Sequence, residues 1–154
     1  MRKIAIIMGS ESDKPVVEEA LPFLEFFEIK PELFILSAHR TPQQVQEFAT
    51  SAEKNKFELI IACAGLAAHL PGVVAAYTKL PVIGVPLEAG PLKGQDALYS
   101  IVQMPAGVPV ATMAIGKAGI KNAAIFAAQI IARYDEAVSA KLEAFKQNKC
   151  RIPK

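Results

Sequence analysis

The sequence has 154 residues, 52% of them hydrophobic and 21% charged, which fits one folded domain and excludes a disordered chain. Its net charge of +2 is too small to signal nucleic-acid binding, and the longest apolar stretch, 59–77, is broken by His69 and Pro71 and so does not read as a membrane span. Lys141, Lys146, Lys149, Arg151 and Lys154 against Glu143 give residues 141–154 a net +4 and leave −2 on the rest, so the basic character belongs to a solvated tail.

Ile4-Ala5-Ile6-Ile7-Met8 is a continuous apolar run, the pattern of a parallel strand covered on both faces. It is too short for a signal peptide. Gly9-Ser10-Glu11-Ser12-Asp13 follows, then a helix whose apolar face (Val16, Val17, Ala20, Leu21, Leu24, Phe27) keeps the 3.6-residue period. Residues 33–36 form a second strand. Thr41 as N-cap, Pro42 at the first helical position and Gln44 three residues after the threonine read as a capping box that opens the second helix. Residues 59–64 are the third strand, and 64–68 lead into a helix starting at 69–71. Residues 81–85 are the fourth strand, followed by a Gly/Pro-rich loop over 88–94 and a short helix over 96–102. A fifth strand is expected over 108–114, then a turn at 116–119, a long helix over 120–133 and a last helix over 135–149.

Five such units predict an α/β fold, a three-layer αβα sandwich around a parallel sheet with a C-terminal helix appended. A flavodoxin-like strand order is expected, with a Rossmann-like order second. The whole chain, 1–154, reads as a single domain with its core in 1–133 and a C-terminal helix and tail in 134–154. Ligands in such folds bind beyond the carboxyl ends of the strands, so the loops 9–13, 37–41, 64–70, 86–94 and 115–119 are where chemistry is sought.

The first loop offers backbone N–H groups and the hydroxyls of Ser10 and Ser12 at a helix start, a setting that suits a phosphate. It has neither the spacing of a nucleoside-triphosphate P-loop nor Gly-x-Gly-x-x-Gly. Asp13 reads first as the N-cap of the helix and second as an acceptor for ribose hydroxyls. In the second loop, Ser37-Ala38-His39-Arg40-Thr41, a residue that titrates near neutrality stands beside a planar cation suited to phosphate or carboxylate. His69 reads as a polar residue capping the helix that Pro71 helps to start, and alternatively as a pocket wall. Cys63 lies inside an apolar strand and reads as a buried thiol. Cys63 and Cys150 match no metal-ligand spacing, and a reducing compartment is expected. The loop over 88–94 is long enough for a lid. From the residues alone, a phosphate-bearing ligand and a proton-transfer histidine are expected, with no metal and no cofactor.

Met8-Gly9-Ser10-Glu11-Ser12-Asp13, Ser37-Ala38-His39-Arg40-Thr41-Pro42, Ala64-Gly65-Leu66-Ala67-Ala68-His69-Leu70-Pro71-Gly72 and Ser100-Ile101-Val102-Gln103-Met104-Pro105 resemble the PurE family, as does Gly107-Val108-Pro109-Val110-Ala111-Thr112 with Ala114-Ile115-Gly116. The likeness runs in order from residue 3 to about 133. It implies an N(5)-carboxyaminoimidazole ribonucleotide mutase of purine biosynthesis. The stretch from Gly94 to Pro105 resembles the mutase branch; direct carboxylation of aminoimidazole ribonucleotide by carbon dioxide is the rival within the family. A non-catalytic flavodoxin-like nucleotide-binding module is the rival outside it. Carried over by motif, the resemblance makes His39 the general acid and base. It assigns Ser10, Asp13 and Arg40 to the ribose phosphate, and Ser12, Ser37, Gly65, His69 and Leu70 to the pocket lining. It further implies a cytoplasmic homo-octamer acting on a small ribonucleotide, without nucleic-acid or membrane partners, and a projecting C-terminal helix that packs on a neighbour. The family commonly reads Gln-Ser where this chain has Glu88-Ala89, and Ser where it has Ala97.

Overall fold

The structure, a computed structural model, describes residues 1–153; of the basic tail, Lys154 lies outside the described residues. Five parallel strands run β1 Arg2–Met8, β2 Ile29–Ile35, β3 Ile60–Gly65, β4 Val82–Leu87 and β5 Ala111–Thr112, in the order β2-β1-β3-β4-β5. This is the flavodoxin-like order, with the reversal of winding between β1 and β3. Alternation along each strand feeds two separate cores. Ile4, Ile6, Met8, Ile61, Cys63, Ile83 and Val85 face one side; Ala5, Ile7, Ile60, Ala62 and Val82 face the other. The first core is covered by α1 Lys14–Val17, α2 Leu21–Phe26, α6 Lys117–Ile131 and α7 Glu136–Gln147. The second is covered by α3 Pro42–Ser51, α4 Leu70–Tyr77 and α5 Gln95–Val102. Gly84 makes the α5 contact possible: a β-carbon there would collide with Ile101.

Three elements depart from the sequence expectation. The helix expected to run through Phe27 is interrupted by a 3-10 turn at Glu18–Ala20. Pro22 has no N–H to offer the Glu18 carbonyl, which instead receives the Leu21 N–H three residues on. The fifth strand pairs only over Ala111–Thr112 rather than 108–114, because Pro109 cannot donate to a ladder and β5 is an edge strand. The capping box expected at Thr41 does not form. The Thr41 hydroxyl folds back on Ser37, accepting its N–H at 3.0 Å and donating to its carbonyl at 3.2 Å.

The last helix does not project. Phe145 is 1% exposed, with its ring edge-on to Phe27 at 5.4 Å and to Phe23 at 6.3 Å between centroids. Burying such a side chain contributes about 1.5–3 kcal/mol, while the exposed Lys141–Glu28 pair at 3.0 Å adds at most about 1 kcal/mol. Apolar packing therefore docks α7 on its own chain.

Candidate active site

The β1 exit is a tight reciprocal turn. Ser10 caps the 3-10 turn Glu11–Asp13: its hydroxyl accepts the Ser12 N–H at 3.3 Å and bonds the Ser12 hydroxyl at 2.9 Å, while its own N–H donates to the Asp13 carboxylate at 3.2 Å. The capping box sits here rather than at 41–44. Asp13 accordingly makes no side-chain cap to α1, which corrects its first reading. Burial raises its carboxyl above the ordinary value, and the Ser10 N–H partly opposes that shift. A β-carbon on Gly9 would meet no protein atom within 4 Å, so a ligand can approach the backbone here.

The β2 exit is folded by Ser37. Its hydroxyl accepts the Arg40 N–H at 3.1 Å, its carbonyl accepts the Thr41 N–H at 2.9 Å, and its N–H donates to the Thr41 hydroxyl. With Ser37 and Thr41 so occupied, His39 and Arg40 are left exposed at the tip. Among the described residues, no ion pair engages Arg40.

The β3 exit carries His69. It occupies the N-cap position of α4 but makes no side-chain cap bond, so the capping role expected for it fails. Its Nδ1 lies 2.7 Å from Nε2 of His39, with the rings nearly perpendicular at 86°. That contact needs one N–H and one lone pair, so a single proton lies between the two imidazoles and either ring can hold it. The loops after β2 and β3 meet because these strands flank β1 in the sheet.

Together the three exits line a cleft of about 430 Å³ that includes all the residues to which the resemblance assigned a catalytic or binding role: Ser10, Ser12, Asp13, Ser37, His39, Arg40, Gly65, His69 and Leu70. Gly9, Ala38, Ala64, Leu66, Ala67 and Ala89 complete it. Ala38, Ala67 and Ala89 carry no chemical signature by which sequence reasoning could have found them. Of the 86–94 loop only Ala89 reaches the cleft, and the 115–119 turn, expected as a candidate, does not line it. Cys63 is wholly buried, and burial reinforced by the Asp13 carboxylate pushes its thiol up, which excludes it as a nucleophile. Among the described residues, no group of three or more His, Cys, Asp or Glu side chains is placed to hold a metal ion.

The profile of the family described as AIR carboxylase matches residues 3–151. The chain is 50% identical over 150 residues to the N5-carboxyaminoimidazole ribonucleotide mutase of Haemophilus influenzae, covering 97% of this chain and 92% of that one. It is 52% identical over 149 residues to the mutase of the same name from Pyrococcus abyssi, covering 96% and 84%. The crystal structure of Treponema denticola PurE superposes with a TM-score of 0.87 at 29% identity, covering 97% of this chain and 92% of that one. On these matches the chain belongs to the AIR carboxylase family.

Proposed function

We propose that this cleft converts N5-carboxyaminoimidazole ribonucleotide into 4-carboxy-5-aminoimidazole ribonucleotide in de novo purine (IMP) biosynthesis, with His39 as general acid and base. The observation that carries the proposal is the 2.7 Å contact between His39 and His69, in the same cleft as the Ser10–Asp13 turn and Arg40. The names of the mutases at about half identity support the choice of substrate.

Arg40, the Ser10 hydroxyl and the turn amides hold the phosphate, and Asp13 accepts from the ribose hydroxyls. Ser12, Ser37, Gly65, His69 and Leu70 surround the heterocycle. The carbamate C–N bond breaks, carbon dioxide leaves, and the exocyclic nitrogen takes a proton from His39. The ring carbon then attacks carbon dioxide to form the new C–C bond, and the proton on that carbon returns to His39. One residue that first gives and then takes a proton closes the cycle. His69 fixes the ring of His39 through their shared hydrogen bond. Ala64, Leu66 and Leu70 supply apolar walls that keep carbon dioxide beside the ring, the entropic part of the catalysis.

In His39→Asn, folding and ribonucleotide affinity are expected to persist while turnover falls by about 10²–10⁴-fold, the usual worth of a positioned acid–base group. Near-normal turnover would remove the shuttle. Comparing rates with the carbamate and with aminoimidazole ribonucleotide plus bicarbonate separates this reading from direct carboxylation. A cytoplasmic homo-octamer belongs to the same reading; light scattering that returns a monomer removes the octamer.

A further inference from the structure

The 86–94 loop and the turn that follows β3 meet along a seam with no room for another carbon. A β-carbon on Gly65 would stand 2.9 Å from Cβ of Ala89 and 3.3 Å from the Leu87 carbonyl oxygen. A β-carbon on Gly90, at φ +65°, would stand 2.7 Å from Cδ2 of Leu66. Leu66 is itself left-handed, at φ 55°, and 52% exposed. The β-carbon of a bulky residue disfavours that conformation, which persists only where its surroundings hold it. The two ends of the loop are held independently. A β-carbon on Gly94 would meet Ile115 Cγ2 at 2.6 Å, and the Pro86 carbonyl accepts the Gly116 N–H at 2.9 Å. The middle of the loop thus rests on the turn that carries His69, and Gly65, Leu66 and Ala89 all line the cleft.

We propose that Ala89 and Leu66 are positioning residues: the Ala89–Gly65 and Leu66–Gly90 contacts seat the 86–94 loop on the histidine-bearing turn and so set the place of His69 against His39. The physical reason is tolerance. Cβ of Ala89 is attached directly to the main chain, so the Ala89–Gly65 contact cannot yield without moving the loop; the Leu66–Gly90 contact, made by the end of a half-exposed side chain, is the softer of the two. A hydrogen bond at 2.7 Å, by contrast, is lost over a shift of about 1 Å. A methyl group added to the seam must push the loop and the turn apart, and His69 lies four residues beyond Gly65.

The test moves one methyl group across the seam; its kinetic arm rests on the mutase reading, and its hydrogen-exchange arm does not. Gly65→Ala is expected to lower kcat by about tenfold or more, as misplacement of a reacting group does, with a smaller change in KM. It should also speed amide exchange over residues 88–93. Adding Ala89→Gly to that variant removes the opposing methyl and should raise kcat severalfold above the single variant and bring exchange back toward the parent rate. A second pair covers a failure of Gly65→Ala to fold and is read by amide exchange alone, because Leu66 also walls the cleft: Gly90→Ala should speed exchange over residues 88–93 and Leu66→Ala should slow it again, with the penalty of a side chain at positive φ common to both members. Parent-like kcat and exchange in Gly65→Ala overturn the proposal, as does a double variant as impaired as the single. A parent chain without mutase activity removes the assigned reaction, and the exchange measurements then decide the seam alone: rescue sustains it, and unchanged exchange overturns it.

Discussion

At the amino ends of the strands Arg2 is gripped by Glu58 at 3.1 Å and Asp135 at 2.8 Å, and the Tyr134 hydroxyl donates to Glu58 at 3.0 Å. At the carboxyl ends Arg40 has no ion pair among the described residues, and Asp13 receives one backbone N–H. The ionisations diverge accordingly. The Arg2 guanidinium holds the Asp135 carboxyl below its ordinary range, and burial with the nearby Glu58 carboxylate pushes the Tyr134 phenol up to about 12. Burial raises Asp13. One end of the sheet is electrostatically closed on itself and stabilises the fold. The other keeps its hydrogen-bonding capacity for a ligand and bears the cost of doing so.

Beyond the loss of turnover in His39→Asn, the next largest break in this contrast is Arg40→Ala. Loss of a charge-assisted anchor worth about 1.5–3 kcal/mol should raise KM roughly 10–150-fold, with kcat and melting temperature nearly unchanged. Steady-state kinetics that show a fall in kcat at constant KM would contradict the anchoring role. Asp13→Asn should weaken substrate binding by about tenfold without lowering the melting temperature at neutral pH. A carboxyl raised in the native state opposes folding while ionised, and that cost fades as pH falls through the raised value. The variant should therefore lose this component of the stability–pH curve, as parallel thermal melts across the acid range would show.

Arg2→Ala gives the smallest effect and the sharpest contrast: kinetics unchanged and stability slightly reduced near neutrality. Because Asp135 is depressed in the folded chain, its contribution is present above its ordinary value of 3.8 and is lost as pH falls through the lower native value. The stability gap between parent and variant should close in acid; a gap that widens there would reverse the sign assigned to the Arg2 clamp.

The layered fold was legible because three central strands are unbroken apolar runs and the βα alternation implies a parallel sheet; the strand order found is the first of the two expected. The interruption before Pro22 and the truncation around Pro109 were written in the sequence too, but the apolar period masked both. The loops carrying the cleft were correctly located, save for 115–119, where Ile115 packs on Gly94 instead. The pairing of His39 with His69 was not legible. The two lie thirty positions apart on separate loops, and only a sheet with β2 and β3 on either side of β1 brings them together. The strand order expected from the sequence contained that juxtaposition, yet Pro71 gave His69 a ready local reading as a cap. Ser37 shows the converse: it lines the cleft as expected, but its hydroxyl and main chain shape the loop that presents its neighbours.

Cys63 lies at 0% exposure in the middle of the sheet with its thiol held protonated, whereas Cys150 lies exposed past the end of α7. Alkylating reagents and peroxides should therefore find one sulfhydryl and miss the other. A probe attached through maleimide chemistry would mark the tail selectively, leaving the cleft at the carboxyl ends of the strands unlabelled.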